Sequence, residues 1–362
     1  MRAGPLLAVA ILGTATALLA TARWEEPKPA FPYVQEDVSY SNPAARDVTL
    51  AGTLTKPATG GPFPAVLLIT GAGPQDRDET TSGRRPFLVL ADYLTRRGIA
   101  VLRVDDRGVA ESTGNFDTST TQDFASDAEA GVRYLLSRND IDSKHIGLIG
   151  HGEGGIVAPM VAVKMPQVSF IVLLAGVGVS GEEVLLAQTE RAEEAAGITD
   201  EQIEADFRIG KALYDLVREG APETELREAL YKAPPKYKTF VERWQRQLHH
   251  LETPWLRFFL AYDPAPTLEK VKCPVLALDG EKDMQVVPDQ NVPAIKTALR
   301  RGHNHDVTVR ILPGLNYMFQ GAKTGFGSEY ETIPETISPL ALNLISNWIT
   351  SKCAENAKAG RN

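Results

Sequence analysis

The chain is poor in the residues that build disulfide frameworks and metal sites. It has only two cysteines, Cys273 and Cys353, so a disulfide framework is excluded, although an exported protein could join these two. Neither a C-x-x-C nor an H-E-x-x-H motif occurs, and there are only six histidines. A structural or catalytic metal therefore has little support, and we expect no cofactor.

Positive charge is not in surplus either. The 362 residues include 38 Lys and Arg against 46 Asp and Glu, which gives a formal net charge of −8. We therefore expect no nucleic-acid partner, because binding to a phosphate backbone needs a basic surface. Hydrophobic residues make up 43% of the chain, which is ordinary for a globular protein. This length suits one large α/β domain with an insertion, or two small domains.

The N-terminus resembles a targeting signal. An apolar segment from Pro5 to Ala20 follows Arg2 and leads into Ala20-Thr21-Ala22, which has the A-x-A pattern of a cleavage site. This layout is typical of a secretory signal peptide, and the segment is a little short for a stable membrane span. We therefore predict a signal peptide over residues 1–22 and export to the periplasm or the extracellular space. An uncleaved membrane anchor is the alternative.

Beyond residue 23, segments with strand and helix patterns alternate. A strand pair is predicted over 34–55, and continuous apolar runs follow at 64–71, 99–105, 145–150 and 169–176. Such runs are typical of strands buried on both faces of a parallel sheet. Helical patterns at 86–98 and 121–139 separate them. The pattern predicts the α/β class, with a mostly parallel, doubly wound sheet.

The stretch from 180 to about 268 interrupts this alternation. It contains helical patterns and no convincing strand, whereas the alternation resumes afterwards with a strand at 274–280, a helix near 291–301, a strand at 307–312 and a helix at 337–352. We expect residues 23–362 to form one domain, in which the segment of about 180–268 is a helical cap over the active-site edge of the sheet.

The segment HIGLIGHGEGGIVAP, residues 145–159, predicts a strand that enters a helix through a sharp turn. Its centre, Gly150-His151-Gly152-Glu153-Gly154, has the outline of a G-x-S-x-G nucleophile elbow with glycine in place of serine. The central residue of such an elbow has a positive φ, which glycine adopts without strain. We therefore expect the turn to persist, with Gly150 and Gly154 allowing the strand and the helix to approach closely.

Five motifs follow one another in the chain, each at the end of a predicted strand. They are ITGAGPQDRDE (69–79), RVDDRGVAESTG (103–114), GHGEGG (150–155), LDGEKDMQV (278–286) and LPGLNYMFQ (312–320). Together they resemble the α/β-hydrolase fold and, more narrowly, a family of exported bacterial esterases related to serine aminopeptidases. The resemblance covers nearly everything after the signal peptide. It implies the α/β-hydrolase fold and acyl transfer to a serine, usually the hydrolysis of carboxylic esters.

The resemblance implies a Ser-His-Asp triad at three positions, of which only one keeps its residue. Asp283 stands at the position of the triad carboxylate. Gly152 stands at the nucleophile position, so the serine is absent, and Tyr317 stands at the position of the histidine. Tyrosine is a poor general base at neutral pH because its phenol has a pKa near 10.

The histidines elsewhere in the chain do not offer a convincing substitute. His145 begins the elbow strand and His303 and His305 precede the strand at 307–312, so these three lie at the opposite edge of the sheet. His249 and His250 lie in the predicted cap. For His151, next to the elbow centre, the resemblance implies a packing or positioning role.

The oxyanion hole, in contrast, should be complete. It needs two backbone N–H groups, which the resemblance assigns to Ala72, after the strand at 64–71, and to Glu153, after the nucleophile position. Substitution of the triad side chains leaves both groups in place. The helix that follows residue 153 would add a favourable dipole for an anion or a polarised carbonyl.

Four aromatic residues of the predicted cap have both a structural and a functional interpretation. They are Trp244, Trp255, Phe258 and Phe259. They could line an acyl pocket, but aromatic residues more often form the core of such a segment. The clusters Asp76-Arg77-Asp78 and Asp105-Asp106-Arg107 are expected to brace loops beneath the site through ion pairs.

Three hypotheses on function follow. The chain is an exported carboxylesterase that is inactive or severely impaired, or it is a non-catalytic binding protein that keeps the pocket for a small-molecule ester or acyl ligand. The third is a different reaction, such as a proton transfer, that uses Tyr317, Asp283 and Glu153, with Tyr317 hydrogen-bonded to Asp283.

Overall fold

The computed structural model describes residues 26–232 and 238–359. Eight strands form its sheet: β1 (Tyr33–Asn42), β2 (Ala45–Pro57), β3 (Phe63–Ile69), β4 (Ala100–Val104), β5 (Ile141–His151), β6 (Val168–Leu174), β7 (Val275–Gly280) and β8 (Val307–Leu312). The predicted signal peptide, residues 1–22, lies outside the described residues. Within them, no helix has both the length and the apolar character that crossing a membrane requires.

Eleven helices are found in the same ranges. They are α1 (Pro86–Thr95), α2 (Thr121–Leu136), α3 (Gly154–Lys164), α4 (Gly181–Ala195), α5 (Asp200–Glu219), α6 (Glu223–Tyr231), α7 (Lys238–Leu251), α8 (Pro254–Ala261), α9 (Ala265–Leu268), α10 (Pro288–Arg301) and α11 (Pro339–Ala359). Six of them, α4 to α9, lie between β6 and β7 in the chain. The helix predicted at 86–98 ends at Thr95, because a tight turn closed by Gly98 at φ +88° replaces its last residues.

The predicted α/β class and the mostly parallel, doubly wound sheet are confirmed. The strand order is β1-β2-β4-β3-β5-β6-β7-β8, in which only the β1–β2 and β2–β4 pairs are antiparallel. The central strands are apolar because helices cover both of their faces, and Leu67, Leu148 and Val172 are almost fully inaccessible to solvent. Between its two buried end residues, β1 alternates between partly buried and exposed positions, as expected at an edge.

The topology brings two distant loops together. From β3 the chain moves to β4 in one direction across the sheet, and from β4 it returns past β3 to β5 in the other. Right-handed crossovers then place α1 and α2 on opposite faces of the sheet. The loops that follow the neighbouring strands β3 and β5 therefore lead away from each other. Such a switch point at the carboxyl edge of a parallel sheet is where ligands bind in open α/β folds.

Candidate active site

The elbow turn forms at this switch point without a serine. Between the end of β5 and the start of α3, Gly152 has φ +51°. Its N–H donates to the carbonyl of Leu174 at 2.9 Å, and its own carbonyl accepts from the N–H of Gly155 at 2.9 Å. A Cβ on Gly150 or Gly154 would overlap backbone atoms of the facing segment. Close backbone contact, rather than a nucleophile, therefore fixes the turn.

Tyr317 fills the space in which a nucleophile would lie. A Cβ built on Gly152 would come closer than 3.0 Å to the Tyr317 hydroxyl oxygen, and one built on Gly71 would lie 3.0 Å from it. Burial raises the pKa of this phenol well above 10, and the negative charges of Glu79 and Asp283 act in the same direction. The hydroxyl therefore stays protonated at neutral pH and cannot act as a general base.

Asp283 has one oxygen to spare. Its Oδ1 accepts the backbone N–H groups of Gln285 at 2.6 Å and Val286 at 2.9 Å, whereas no N–H or hydroxyl group of the described residues donates to its Oδ2. The carboxyl of Asp279 is a further hydrogen-bond partner of the Asp283 carboxyl. The residue is 3% exposed, and burial raises its pKa to about 6. In a triad the free oxygen would accept the Nδ1–H of the histidine.

The hydrogen bond suggested between Tyr317 and Asp283 does not form among the described residues, because the Tyr317 hydroxyl points over Gly152 and Gly71 instead. A second buried carboxyl, Asp279, stands near Asp283. Burial and the Asp283 charge raise the pKa of Asp279 well above its usual range. Sequence reasoning missed Asp279, which reads simply as part of strand β7.

Glu79 and His151 form a buried pair next to the elbow turn. His151 Nδ1 lies 2.8 Å from Glu79 Oε1, and its Nε2 lies 3.1 Å from the backbone carbonyl of Tyr317. Burial alone would lower the pKa of His151, but the charge of Glu79 and its hydrogen bond raise it. Both ring nitrogens face oxygen acceptors, an arrangement that favours the protonated ring. It cannot reach the position of a triad base.

Glu79 also holds the oxyanion loop. Its Oε1 accepts the N–H of Gly71 at 2.7 Å, and its backbone has φ +53°. In the sequence, Glu79 stands out only as the last residue of the motif ITGAGPQDRDE. The sequence signal for this contact is the spacing of Glu79 from Gly71. That signal is weak, because no local pattern predicts that the carboxylate of a loop residue is buried.

The two N–H groups assigned to the oxyanion hole are unoccupied by protein acceptors. Neither Ala72 nor Glu153 donates a backbone hydrogen bond within residues 26–232 and 238–359. Ala72 is exposed and lines a cleft, and Glu153 directly precedes helix α3. Both donors are therefore free to bind an oxygen atom of a ligand.

The Glu153 side chain joins the elbow to helix α8. Its Oε1 accepts the hydroxyl of Thr121 at 2.6 Å and the indole N–H of Trp255 at 2.8 Å. Burial raises the pKa of the Glu153 carboxyl, and these two hydrogen bonds act in the opposite direction. Helix α8 is thereby tied directly to the residue that follows the nucleophile position.

A cleft of about 900 Å³ opens between the loop of Ala72 and helices α4, α5, α7 and α8. Its apolar lining includes Leu185, Tyr214, Trp244, Trp255 and Leu256. The two indoles are thus part of the cleft wall. Phe259 instead stacks behind Trp255 at 5.1 Å between ring centroids, and Phe258 stacks on Tyr262 at 5.5 Å. Trp244 and Trp255 therefore line a cleft, whereas Phe258 and Phe259 pack against other aromatic rings, so each interpretation applies to two residues.

Ion pairs brace the loops beneath the site, with two exceptions among the described residues. Arg77 pairs with Asp105 at 2.6 Å, Arg107 pairs with Asp127 at 2.6 Å, and Arg103 pairs with Asp78. The first exception is Asp76, whose carboxylate accepts hydrogen bonds only from Asp78 and Thr80 in its own loop. The second is Asp106, which accepts the hydroxyl of Thr70 at 2.7 Å and the N–H of Gln75 at 2.9 Å. Burial raises the pKa of Asp106 to about 8, and the charges of Glu153 and Glu79 add to the effect.

The other histidines weighed above differ in their places. His145 bonds Asp142 at 2.7 Å near the start of β5, away from this site, and His250 lines the cleft. The side chain of His249 lies outside what the structure describes. Cys273 and Cys353 are free thiols. No group of three or more His, Cys, Asp or Glu residues within the described ranges could hold a metal ion.

Comparison with known proteins connects this geometry to a family. A family model described as X-Pro dipeptidyl-peptidase (S15 family) matches residues 47–309. Esterase EstD of Thermotoga maritima is 27% identical over 276 residues, which cover 75% of this chain and 59% of that protein. An uncharacterized protein of Mycobacterium tuberculosis is 31% identical over 36% of this chain and 45% of its own length. The chain thus spans about half of the length of these relatives.

Two solved structures show the same fold at low sequence identity. A hypothetical protein from Pseudomonas aeruginosa superposes with a TM-score of 0.53 at 16% identity, over 92% of this chain and 98% of that one. Est1E from Butyrivibrio proteoclasticus, solved with ferulic acid bound, superposes with a TM-score of 0.51 at 14% identity, over 88% and 99%.

Proposed function

Because the chain belongs to the X-Pro dipeptidyl-peptidase (S15) family of esterase-like α/β-hydrolases, we propose that it is a Ser-His-Asp acyl hydrolase by descent. Its acyl-transfer chemistry is lost or severely impaired, and it binds a small-molecule ester or acyl ligand at the retained oxyanion hole. Gly152 and Tyr317 stand where the serine and the histidine would be, and Asp283 is the triad acid that remains.

The position of the Tyr317 hydroxyl carries this proposal. It fills the volume that a side chain at residue 152 would need, so the two substitutions fit each other. Loss of the serine or the histidine of a triad lowers kcat by about 10⁶-fold. A residual acceleration of roughly 10³–10⁴ over water can persist from the oxyanion hole and substrate binding alone.

The binding role is supported by what the site keeps. The N–H groups of Ala72 and Glu153 are free, and a cleft of about 900 Å³ with aromatic walls adjoins them. Clefts of this size, with an apolar lining and a few convergent polar groups, are typical small-molecule sites. A proton-transfer reaction with Tyr317 as the base has no such support, because the phenol stays protonated.

Restoration of the two side chains tests the proposal. Steady-state hydrolysis of p-nitrophenyl acetate, butyrate and octanoate is compared for the unchanged chain, Gly152→Ser, Tyr317→His and the double variant. We expect turnover only in the double variant, with a gain of at least 10³-fold, because the serine alone collides with Tyr317 and the histidine alone has no nucleophile.

Asp283→Asn in the double-variant background is the matched control, and it should abolish most of the gain because the histidine loses its orienting acceptor. If the unchanged chain already hydrolyses these esters as fast as the double variant, the proposal is wrong and the nucleophile lies elsewhere. Labelling by a fluorophosphonate probe, followed by peptide mapping, would then locate it.

We further propose that the chain is exported. The support is the pattern of residues 1–22, which lie outside the described structure. Expression of the full chain in a bacterium, followed by fractionation and mass spectrometry, should give a mature N-terminus at Arg23 in the exported fraction. Intact residues 1–22 in the membrane fraction would favour the anchor instead.

A further inference from the structure

We propose that the Tyr317 hydroxyl is a third hydrogen-bond donor of the oxyanion hole, and that the site therefore selects a neutral carbonyl ligand, an intact ester or a ketone, over the corresponding carboxylate. This inference rests on the proposed function, because it names the ligand class of the same site.

The first step is the position of the hydroxyl. In a serine hydrolase, the carbonyl carbon of the substrate sits about 3 Å from the nucleophile, and the carbonyl oxygen bonded to that carbon points to the oxyanion donors. Here the Tyr317 oxygen occupies the nucleophile's space above Gly152, and it also lies against Gly71, next to the donor Ala72. A carbonyl oxygen bound by the N–H groups of Ala72 and Glu153 is therefore within hydrogen-bond distance of the phenol.

The second step is the direction of the hydrogen bond. Among the described residues, no side chain or carbonyl accepts a hydrogen bond from the Tyr317 hydroxyl. The phenol stays protonated, since burial and the neighbouring acids raise its pKa. It therefore offers an O–H group to the ligand, as do the two free backbone N–H groups. Three donors and no nucleophile suit an acceptor that is bound and not attacked.

The third step is the sign of the charge around these donors. His151 is already paired with Glu79, so a positive charge on its ring is compensated by that carboxylate. Asp283 and Glu153 add negative charge near the Tyr317 hydroxyl, and Arg77, Arg103 and Arg107 are paired with other carboxylates. A carboxylate ligand would bring another negative charge into this buried surrounding, whereas a carbonyl offers its lone pairs without one.

The cleft supplies the rest of the ligand site. Trp255 lines it and also bonds the side chain of Glu153, so the apolar wall begins beside the oxyanion hole. Trp244 and Tyr214 continue the wall, with their rings 5.5 Å apart in an edge-to-face arrangement. A ligand with its carbonyl at the three donors and an aryl or alkyl tail along these rings fits both parts.

Isothermal titration of the full chain with a matched ligand series tests the proposal. The probes are 4-phenyl-3-buten-2-one, methyl cinnamate and cinnamate, which share one aryl tail and differ in the carbonyl group. At pH 8 we expect the ketone and the ester to bind at least 10-fold more tightly than cinnamate. Tyr317→Phe should weaken ketone binding by about 3- to 10-fold, the usual effect of one neutral hydrogen bond.

Tyr33→Phe is the control, because it also removes a buried phenol hydroxyl but lies at the start of edge strand β1, away from this site. It should leave ketone binding unchanged. Binding of cinnamate as tight as that of the ketone overturns the proposal, as does an unchanged ketone affinity in Tyr317→Phe or the absence of ketone binding. The ketone cannot be hydrolysed, so its titration remains informative even if the unchanged chain turns over the ester and the proposed function fails.

Discussion

At the scale of single residues, Gly152 and Tyr317 are complementary in shape. The hydroxyl of Tyr317 lies where the side chain of any larger residue at position 152 would begin. A serine and a tyrosine could not occupy these positions together without a shift of one of them. The pair therefore behaves as a unit, and substitutions at the two positions should show strongly non-additive effects.

Gly152→Ala isolates the steric part of this fit. We expect it to destabilise the fold by about 2–4 kcal/mol, the sum of overpacking against Tyr317 and of a positive φ in a residue with a Cβ. Gly197→Ala is the matched control, since Gly197 has φ +74° and nothing within 4 Å of a Cβ. It should cost only about 1 kcal/mol. Urea denaturation measures both, and equal losses would contradict the steric explanation.

At the scale of elements, helix α8 connects the cleft wall to the elbow. Thr253 caps its N-terminus, with its side chain accepting the N–H of Leu256, and Pro254 begins its first turn. Trp255 in that turn then reaches Glu153 with its indole N–H. The helix thus positions a wall of the cleft relative to Glu153, the residue for which we propose the second oxyanion N–H.

Trp255→Phe tests this connection. The ring keeps its stacking on Phe259, but the buried Glu153 loses one of its two donors, which should cost about 1–3 kcal/mol. We expect hydrogen exchange of the amides of residues 254–261 to become faster. Trp244→Phe is the control, because its indole bonds Asp206 at 3.2 Å between α7 and α5. Equal acceleration of α8 in both variants would argue against a specific tie to the elbow.

At the scale of the whole molecule, buried acids should make stability depend on pH. Burial raises the pKa of Asp283 to about 6 and that of Asp106 to about 8. A carboxyl whose pKa is higher in the folded than in the unfolded state stabilises the fold fully below its unfolded pKa. That contribution is lost as the pH rises through the folded pKa. The raised pKa of His151 gives a loss in the same direction.

We therefore expect the unfolding temperature to fall between pH 5 and pH 8.5. Asp106→Asn should reduce this fall, because it removes a group with a pKa of about 8, near the upper end of this range, whereas Asp47→Asn on the exposed surface should not. Differential scanning fluorimetry across this range measures the effect. A stability that rises with pH would show that the buried acids are ionised in the folded protein at little cost.

Much of the fold followed from sequence patterns. The apolar runs of β3, β4, β5 and β6 and the amphipathic helices between them predicted the parallel sheet, because periodicity reflects which faces are buried. Helix ends were less exact, as at Thr95, since they depend on local turns. The residues at the triad positions were visible in the sequence only through motifs at strand ends, and their roles remain predictions.

The sequence by itself determined the order of strands and helices, the turn at Gly152 and the absence of a serine and a histidine at two motif positions. Only the tertiary structure decided that the Tyr317 hydroxyl fills the space above Gly152, that Glu79 pairs with His151, and that Trp255 bonds Glu153. These partners are 72 to 165 residues apart in the chain. Local patterns report only burial and backbone preference, whereas these contacts arise because crossover topology brings loops from separate strands to one edge of the sheet.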